Sequence, residues 1–163
     1  MTKNREIKFT GVFFMLGMLL SGSVLAQEQK ISLLEERTPN GEREAIAYYQ
    51  VSDDELTTGI GFRVHFSSEK VNVLEVESYL ELSNVGIDIM ADTQDLDQDP
   101  HTDFYINAAW VDLNGEWPAA TTMPVKLFSF TFDALTVPAS ELFTISQSST
   151  PVGFDFVSAI TNN

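Results

Sequence analysis

The stretch Gly59-Ile60-Gly61-Phe62-Arg63-Val64-His65-Phe66 alternates bulky apolar residues with small or polar ones. The apolar side chains would face one side of an extended segment, and Gly61, Arg63 and His65 would face the other. A period of two over eight residues predicts a half-buried β-strand. We therefore expect His65 to be an ordinary strand residue on the polar side, next to Arg63.

Two later stretches are also typical of strands. Residues 125–133 alternate, which places Phe128, Phe130 and Phe132 inward. Residues 104–111 are apolar on both faces, which indicates a central strand. Further strands are predicted at 31–34, 44–51, 71–77, 142–146 and 153–157, with a short strand or an irregular crossing within 78–91.

No long window after the first residues shows a sustained helical period, apart from a possible turn or two near 78–83. About eight or nine short strands, separated by turn residues at intervals of roughly ten, are typical of an all-β sandwich. We predict one antiparallel, jelly-roll-like β-sandwich domain over residues 27–163.

The N-terminal segment has the features of a secretory signal. Three basic residues precede the apolar run 9–20, and small residues lead to Ala26. A membrane anchor is the alternative, but the run is shorter than the roughly 20 residues that a span needs. We predict a signal peptide at residues 1–26, no membrane span after its cleavage, and a secreted or cell-surface protein, with the periplasm also possible. The chain has no cysteine, so disulfides and acylated cysteines are excluded.

The composition is strongly acidic, with 24 Asp and Glu against nine Lys and Arg and a net charge of -15. Apart from Glu6 in the N-terminal segment, the acidic residues are spread from Glu28 to Asp155 rather than gathered in a tail. Nucleic acids and anionic membranes attract basic surfaces, so neither is an expected partner. An extracellular protein or a polysaccharide is the expected partner.

Five carboxylates fall within the twelve residues 92–103, between two apolar runs. So dense a cluster of negative charge repels itself unless a cation lies inside it. Carboxylate oxygens are the ligands that Ca²⁺ prefers. The sequence therefore predicts a calcium site, whose candidate ligands are Asp92, Asp95, Asp97, Asp99 and Asp103.

The run Asp95-Leu96-Asp97-Gln98-Asp99 opens like an EF-hand loop, but the pattern then fails. Pro100 stands where the loop needs glycine, and Ile106 stands where it needs glutamate. Asp92 or Asp103 could complete a different calcium shell, and a merely solvated acidic loop is the alternative. His101 lies in the same loop without a second His or Cys nearby, which is typical of a surface residue rather than a zinc ligand.

Several runs resemble cohesin-like and related carbohydrate-binding sandwich modules of secreted bacterial proteins. They are residues 59–76, with a short turn at the serines, and the later runs 109–115 and 126–132. The resemblance covers roughly residues 44–157. It implies a β-sandwich that mediates protein–protein or cell-surface contacts, without catalytic activity.

The residues themselves also argue against an enzyme. The chain has two histidines, no cysteine and no G-x-S-x-G motif, so no residue is singled out as a nucleophile. A carbohydrate-binding module is the alternative function, because aromatic rings stack on sugars. Trp117, followed by Pro118, and Tyr105 are the candidate ligand-binding residues, although an aromatic in a proline turn more commonly anchors the turn.

Overall fold

The computed structural model describes residues 27–52, 55–80, 84–119, 122–134 and 136–162. The predicted signal peptide at residues 1–26 lies outside these ranges. Across the described part of the chain, no helix is both long and apolar enough to cross a membrane.

Nine strands follow one another along the described chain, with a 3₁₀ turn at Ala139–Glu141 between the seventh and eighth. The strands are β1 (Gln27–Arg37), β2 (Arg43–Val51), β3 (Gly59–Phe66), β4 (Val71–Ser78), β5 (Asn84–Ala91), β6 (Phe104–Val111), β7 (Val125–Ala134), β8 (Phe143–Ser149) and β9 (Phe154–Asn162). All predicted strands are present. The segment 78–91, left open between a strand and an irregular crossing, contains β5.

The strands form two sheets that pack face to face. The five-stranded sheet has the order β4-β7-β2-β1-β9, and the four-stranded sheet has the order β5-β6-β3-β8. The apolar side of each sheet faces the other, as alternating strands require. The predicted all-β sandwich is therefore confirmed.

One pairing differs from the predicted antiparallel arrangement. β1 runs antiparallel to β2 on one side but parallel to β9 on the other, from the pair Gln27 and Phe154 to the pair Glu35 and Asn162. A parallel pair cannot be joined by a tight hairpin and needs a long connection. Here the connection is nearly the whole described chain, so the first and last strands lie side by side.

Aromatic rings fill much of the space between the sheets. The centroid of the Phe62 ring lies 6.2 Å from that of Trp110 and 5.9 Å from that of Phe128, and both ring pairs are stacked. At one end of the sandwich, Phe143 meets Phe130 and Phe132 edge to face, with ring centroids 5.2 and 5.1 Å away. Such pairs add to the stabilisation that comes from burying apolar area. The inward positions predicted for the phenylalanines of β7 are confirmed.

Candidate functional site

The acidic loop, residues 92–103, connects β5 to β6. Its two ends are joined by a hydrogen bond of 2.8 Å from the Asp92 amide to the Asp103 carbonyl. The Asp103 amide in turn donates to the carbonyl of Phe66, at the end of β3. From this base the loop folds over the outer face of the four-stranded sheet, the face turned away from the core, and its side chains reach β3 and β8.

His65 lies under this loop and is completely buried. It points to the outer face, as the alternation of β3 predicts, but the expectation of an ordinary polar strand residue is wrong. Its Nδ1 lies 3.0 Å from Asp92 Oδ2, and its Nε2 lies 2.7 Å from Ser146 Oγ on β8. The sequence gives no sign of this burial, because the loop that covers His65 is distant along the chain.

Asp92 provides the first attachment of the loop to His65. The side chain has no exposed surface, and its two oxygens accept the Leu96 amide at 3.2 and 3.1 Å. A carboxylate can only accept hydrogen bonds, so His65 donates from Nδ1. A buried carboxylate is costly unless donors surround it, and here the chain supplies those donors.

Asp97 provides the second attachment. It lies 3.7 Å from His65 Nδ1 and accepts hydrogen bonds from Thr144 Oγ1 at 2.5 Å and Thr102 Oγ1 at 3.0 Å. Burial acts to raise the pKa of Asp97, but the hydroxyls of Thr144 and Thr102 and the charge of His65 outweigh it, so the pKa lies below its ordinary value. Asp97 therefore ties the tip of the loop to β8.

The other three predicted ligands do not join this group. Asp103 accepts the backbone amide and the hydroxyl of Ser68, at 2.7 and 2.6 Å, and these bonds lower its pKa. Asp99 accepts the His101 amide, and Asp95 has a left-handed backbone with φ of 53°. The structure thus brings together two of the five carboxylates, Asp92 and Asp97, and adds a histidine that the prediction left out.

His65, Asp92 and Asp97 are the one group of three metal-ligating side chains among the described residues, with ligand atoms within 4.8 Å of one another. Ca²⁺ takes six to eight oxygens, whereas this group supplies one imidazole nitrogen and two carboxylates. A mixed nitrogen and oxygen set suits a transition metal better. A calcium shell around the remaining acidic residues would need backbone carbonyls as well.

Ser146, His65 and Asp92 are hydrogen-bonded in the same order as the serine, histidine and aspartate of a hydrolase triad. The imidazole, however, has no exposed surface, and the loop is anchored over it. A substrate atom could not reach the base without displacing the loop. The arrangement therefore fixes the loop to the sheet rather than presenting a nucleophile.

The two candidate ligand-binding aromatics are both buried. Trp117 is 2% exposed, stacks on Trp110 and meets Tyr49 edge to face at 4.4 Å. It bridges to Thr57 in a short antiparallel contact, so it anchors its turn and offers no ring face to a ligand. Tyr105 is 8% exposed and lies beneath the Arg63 guanidinium.

No family model and no curated protein match this chain. Among solved structures it is similar to the solution structure of CaCohA2, a cohesin from Clostridium acetobutylicum, with 13% identity, a TM-score of 0.44, and 85% of this chain and 94% of that chain covered. A crystal structure of CaCohA2 in complex with CaDoc0917 shows 11% identity and a TM-score of 0.42, with 83% and 99% covered. The predicted cohesin-like resemblance thus has counterparts among solved folds.

Replacing His65 with alanine should destabilise the protein by about 3 kcal/mol, because it leaves the buried Asp92 carboxylate without its imidazole donor and removes the ring beside Asp97. The measurement is urea-induced unfolding at neutral pH. His101→Ala is the matched control: His101 is exposed in the same loop, and its loss should cost no more than about 0.5 kcal/mol. Equal destabilisation by the two substitutions would contradict the role assigned to His65.

Proposed function

We propose that this chain is an exported, non-catalytic module that binds another protein through the outer face of its four-stranded sheet. The observation that carries the proposal is the scarcity of charge in the strands of this sheet, beyond the end that the acidic loop covers, in a strongly acidic protein. A secreted or cell-surface location follows from the predicted signal peptide and is part of the proposal.

Only two residues in the four strands β3, β5, β6 and β8 are Asp, Glu, Lys or Arg, namely Arg63 and Asp88. The five strands of the other sheet carry twelve: Glu28, Lys30, Glu35, Glu36, Arg37, Arg43, Glu44, Glu75, Glu77, Lys126, Asp133 and Asp155. The centres of protein interfaces are depleted in charged residues, because each charge must lose its water on binding. This difference favours the four-stranded sheet as the docking surface.

The same face has small residues in one row and exposed apolar residues beside them. Ala109 of β6 lies between Gly61 of β3 and Gly86 of β5, so this row of the face carries only small residues, and the Ser148 side chain of β8 lies over Gly61. Val111 and Met90, on the same side of the sheet, are 42% and 46% exposed. A surface of small residues beside exposed apolar ones allows the backbone of a partner to approach closely and bury apolar area.

The carbohydrate-binding alternative has no such support. A ring that stacks on a sugar must expose one face, and Trp117 and Tyr105 are each less than a tenth exposed. Protein binding is therefore the function that we propose for this face.

Replacing Ala109 with arginine should abolish partner binding, because it places a long charged side chain on an inner strand of this face. The measurement is retention of proteins from culture medium of the source cells on the immobilised chain. Ala159→Arg is the matched control, since Ala159 is also half-buried in a strand but belongs to the five-stranded sheet.

The expected result is a protein retained by the native chain and by Ala159→Arg, but not by Ala109→Arg. Equal retention by both variants would exclude the four-stranded face. If every protein that the native chain retains is also retained by both variants, or if the native chain retains none, protein binding through this face is contradicted.

We also propose that the acidic loop binds Ca²⁺, through carboxylates that include Asp95 and Asp99. The support is the density of carboxylates in residues 92–103, together with the absence of Asp95 from the side-chain hydrogen bonds described for this loop. Its oxygens need not give up a donor in order to bind an ion. Extracellular calcium modules bind at about 10⁻⁴–10⁻³ M, which millimolar Ca²⁺ would fill.

Calcium should raise the melting temperature relative to chelator, with a stabilisation of about 2.7 kcal/mol at a hundredfold excess over Kd. Differential scanning calorimetry measures this directly. Asp95→Asn should remove most of the shift without lowering the melting temperature in chelator. An unchanged melt between chelator and millimolar Ca²⁺ would leave the loop as a solvated segment held by its own hydrogen bonds.

A further inference from the structure

The two sheets end in four edge strands, β4 and β9 in the five-stranded sheet and β5 and β8 in the four-stranded sheet. An edge strand presents a row of unpaired backbone groups that can pair with another chain, and proteins commonly block it with charges or a bulge. The pairings of β4, β5 and β8 each contain a register shift. The pairing of β9 with β1 is unbroken from Phe154 to Asn162. Among the described strands, β9 is therefore the one regular edge.

The other three edges carry further obstacles to pairing. β4 contains two glutamates, and β5 contains an aspartate. β8 has no charged residue, but its Thr144 is held by the acidic loop, and its Gln147 carbonyl already accepts Arg63 Nη1. The single charged residue of β9 is Asp155, near its start. Residues 156–161 of β9 therefore have neither a charge nor a bulge that would prevent pairing.

The hydrogen bonds to β1 show which backbone groups of β9 are free. The Gln27 amide donates to the Gly153 carbonyl at 3.2 Å. Successive residues of a strand direct their N–H and C=O groups to opposite sides, so the odd-numbered residues of β9 face β1 and the even-numbered ones face outward. The free edge thus presents the backbone groups of Phe156, Ser158 and Ile160. Ser158 is exposed, which shows that the middle of this edge is open to solvent.

The apolar side chains along this edge are incompletely buried. Phe156 and Ile160 point toward the core, as do their neighbours Gln29 and Leu33 on β1. The two β1 residues are completely buried, whereas Phe156 and Ile160 are only half-buried, because no strand lies beyond β9. A further strand would cover them and remove apolar area from water. The edge therefore offers both hydrogen-bonding groups and apolar contacts to an incoming strand.

We propose that β9 pairs antiparallel with β9 of a second copy of this chain, about a two-fold axis that passes through Ser158. In this register, Phe156 of one copy faces Ile160 of the other, and each outward N–H meets an outward C=O. Val157 faces Ala159 on the opposite side of the sheet. The strand is complementary to itself, as a two-fold interface requires. The two five-stranded sheets then form one continuous sheet.

The charges around this pairing lie mostly toward its ends. Asp155 faces the uncharged Thr161 of the other copy, and on β1 Glu28 lies beside Asp155, whereas Lys30 lies next to the middle of β9. Glu141 belongs to the 3₁₀ turn that is hydrogen-bonded to the end of β9. These acids repel one another across the ends of the ladder, and salt screens that repulsion. One pair of strands also buries less than the roughly 1,200 Å² of a standard interface, so the dimer is weak and reversible.

Pairing at this edge also determines how the two copies are oriented. The core sides of both five-stranded sheets face the same way, so both four-stranded sheets lie on one side of the dimer. Their outer faces point in one direction, which allows two docking surfaces to engage a partner at once and raises avidity. Only this consequence rests on the proposed function, because the pairing itself rests on the open edge of β9.

Sedimentation equilibrium tests the dimer, with the chain at about 10 μM to 1 mM, the range in which small interfaces associate, and about 0.3 M NaCl to screen repulsion. Ser158→Pro removes one outward N–H and leaves the bonds to β1 in place. Ser78→Pro is the matched control: Ser78 is an exposed serine on the edge strand β4, and its N–H also faces outward, because the next amide, that of Tyr79, donates to the Leu127 carbonyl of β7.

The expected result is a monomer–dimer equilibrium for the native chain and for Ser78→Pro, and a monomer for Ser158→Pro. A native chain that stays monomeric throughout, or a dimer that Ser158→Pro leaves as strong as Ser78→Pro does, would overturn the proposal. A second copy held through β9 should also be retained by Ala109→Arg, which distinguishes it from a partner at the docking surface.

A second variant avoids any effect of proline on folding. The chain has no cysteine, so Ser158→Cys introduces a single thiol. Directly opposed residues of a hydrogen-bonded antiparallel pair have Cα atoms about 5.5 Å apart, which suits a disulfide. Oxidation should link Ser158→Cys into dimers roughly tenfold faster than Ser78→Cys at equal concentration, because pairing raises the effective concentration of the thiols. Equal rates of linking would contradict the pairing about Ser158.

Discussion

The acidic loop depends on one buried imidazole. His65 faces Asp92 at 3.0 Å and Asp97 at 3.7 Å from the same ring nitrogen, and its other nitrogen meets Ser146. Negative groups this close repel one another unless a donor or cation lies among them. The structure places a side chain of the sheet itself between Asp92 and Asp97, and the predicted calcium site stays a proposal for the other carboxylates of the loop. The loop is thereby fixed to the sandwich by residues of two strands, β3 and β8.

This attachment divides the outer face of the four-stranded sheet. At one end, the loop covers His65, and its Asp97 accepts a hydrogen bond from the Thr144 hydroxyl. Beyond it, Ala109 is half-buried and Val111 is exposed, with few charged strand residues around them. The five-stranded sheet carries most of the strand charges, which keep that side solvated. The two sides of one sandwich thus differ in chemistry, and that difference supports a docking role for only one of them.

Local periodicity was sufficient to locate the strands, because alternation reports directly which face of a strand is buried. Periodicity could not predict which strands pair with one another. The parallel pairing of β1 with β9 joins segments from opposite ends of the described chain. Nothing in the sequence of either segment indicates the other as its partner. The alternation within 59–66 also predicted the direction of the His65 side chain correctly, but direction is not exposure. Burial of His65 comes from a loop more than twenty-five residues later, which no local pattern encodes.

The candidate ligands illustrate the same limit. The number of carboxylates in 92–103 could be read from the sequence, but their separate partners could not, since Ser68, Thr144 and His65 come from distant strands and turns. Trp117 was correctly placed in a turn, and the alternative of an anchored ring describes it in the structure. Its bridge to Thr57 depends on a contact between two loops.

Native-state hydrogen exchange at the Leu96 amide is the most direct measurement of whether the loop is folded onto the sheet. That amide donates to both oxygens of Asp92, which in turn holds His65. The account predicts exchange about a hundredfold slower than in an unstructured peptide, with the protection lost in His65→Ala. Exchange of Leu96 at the unstructured rate in the native chain would contradict it.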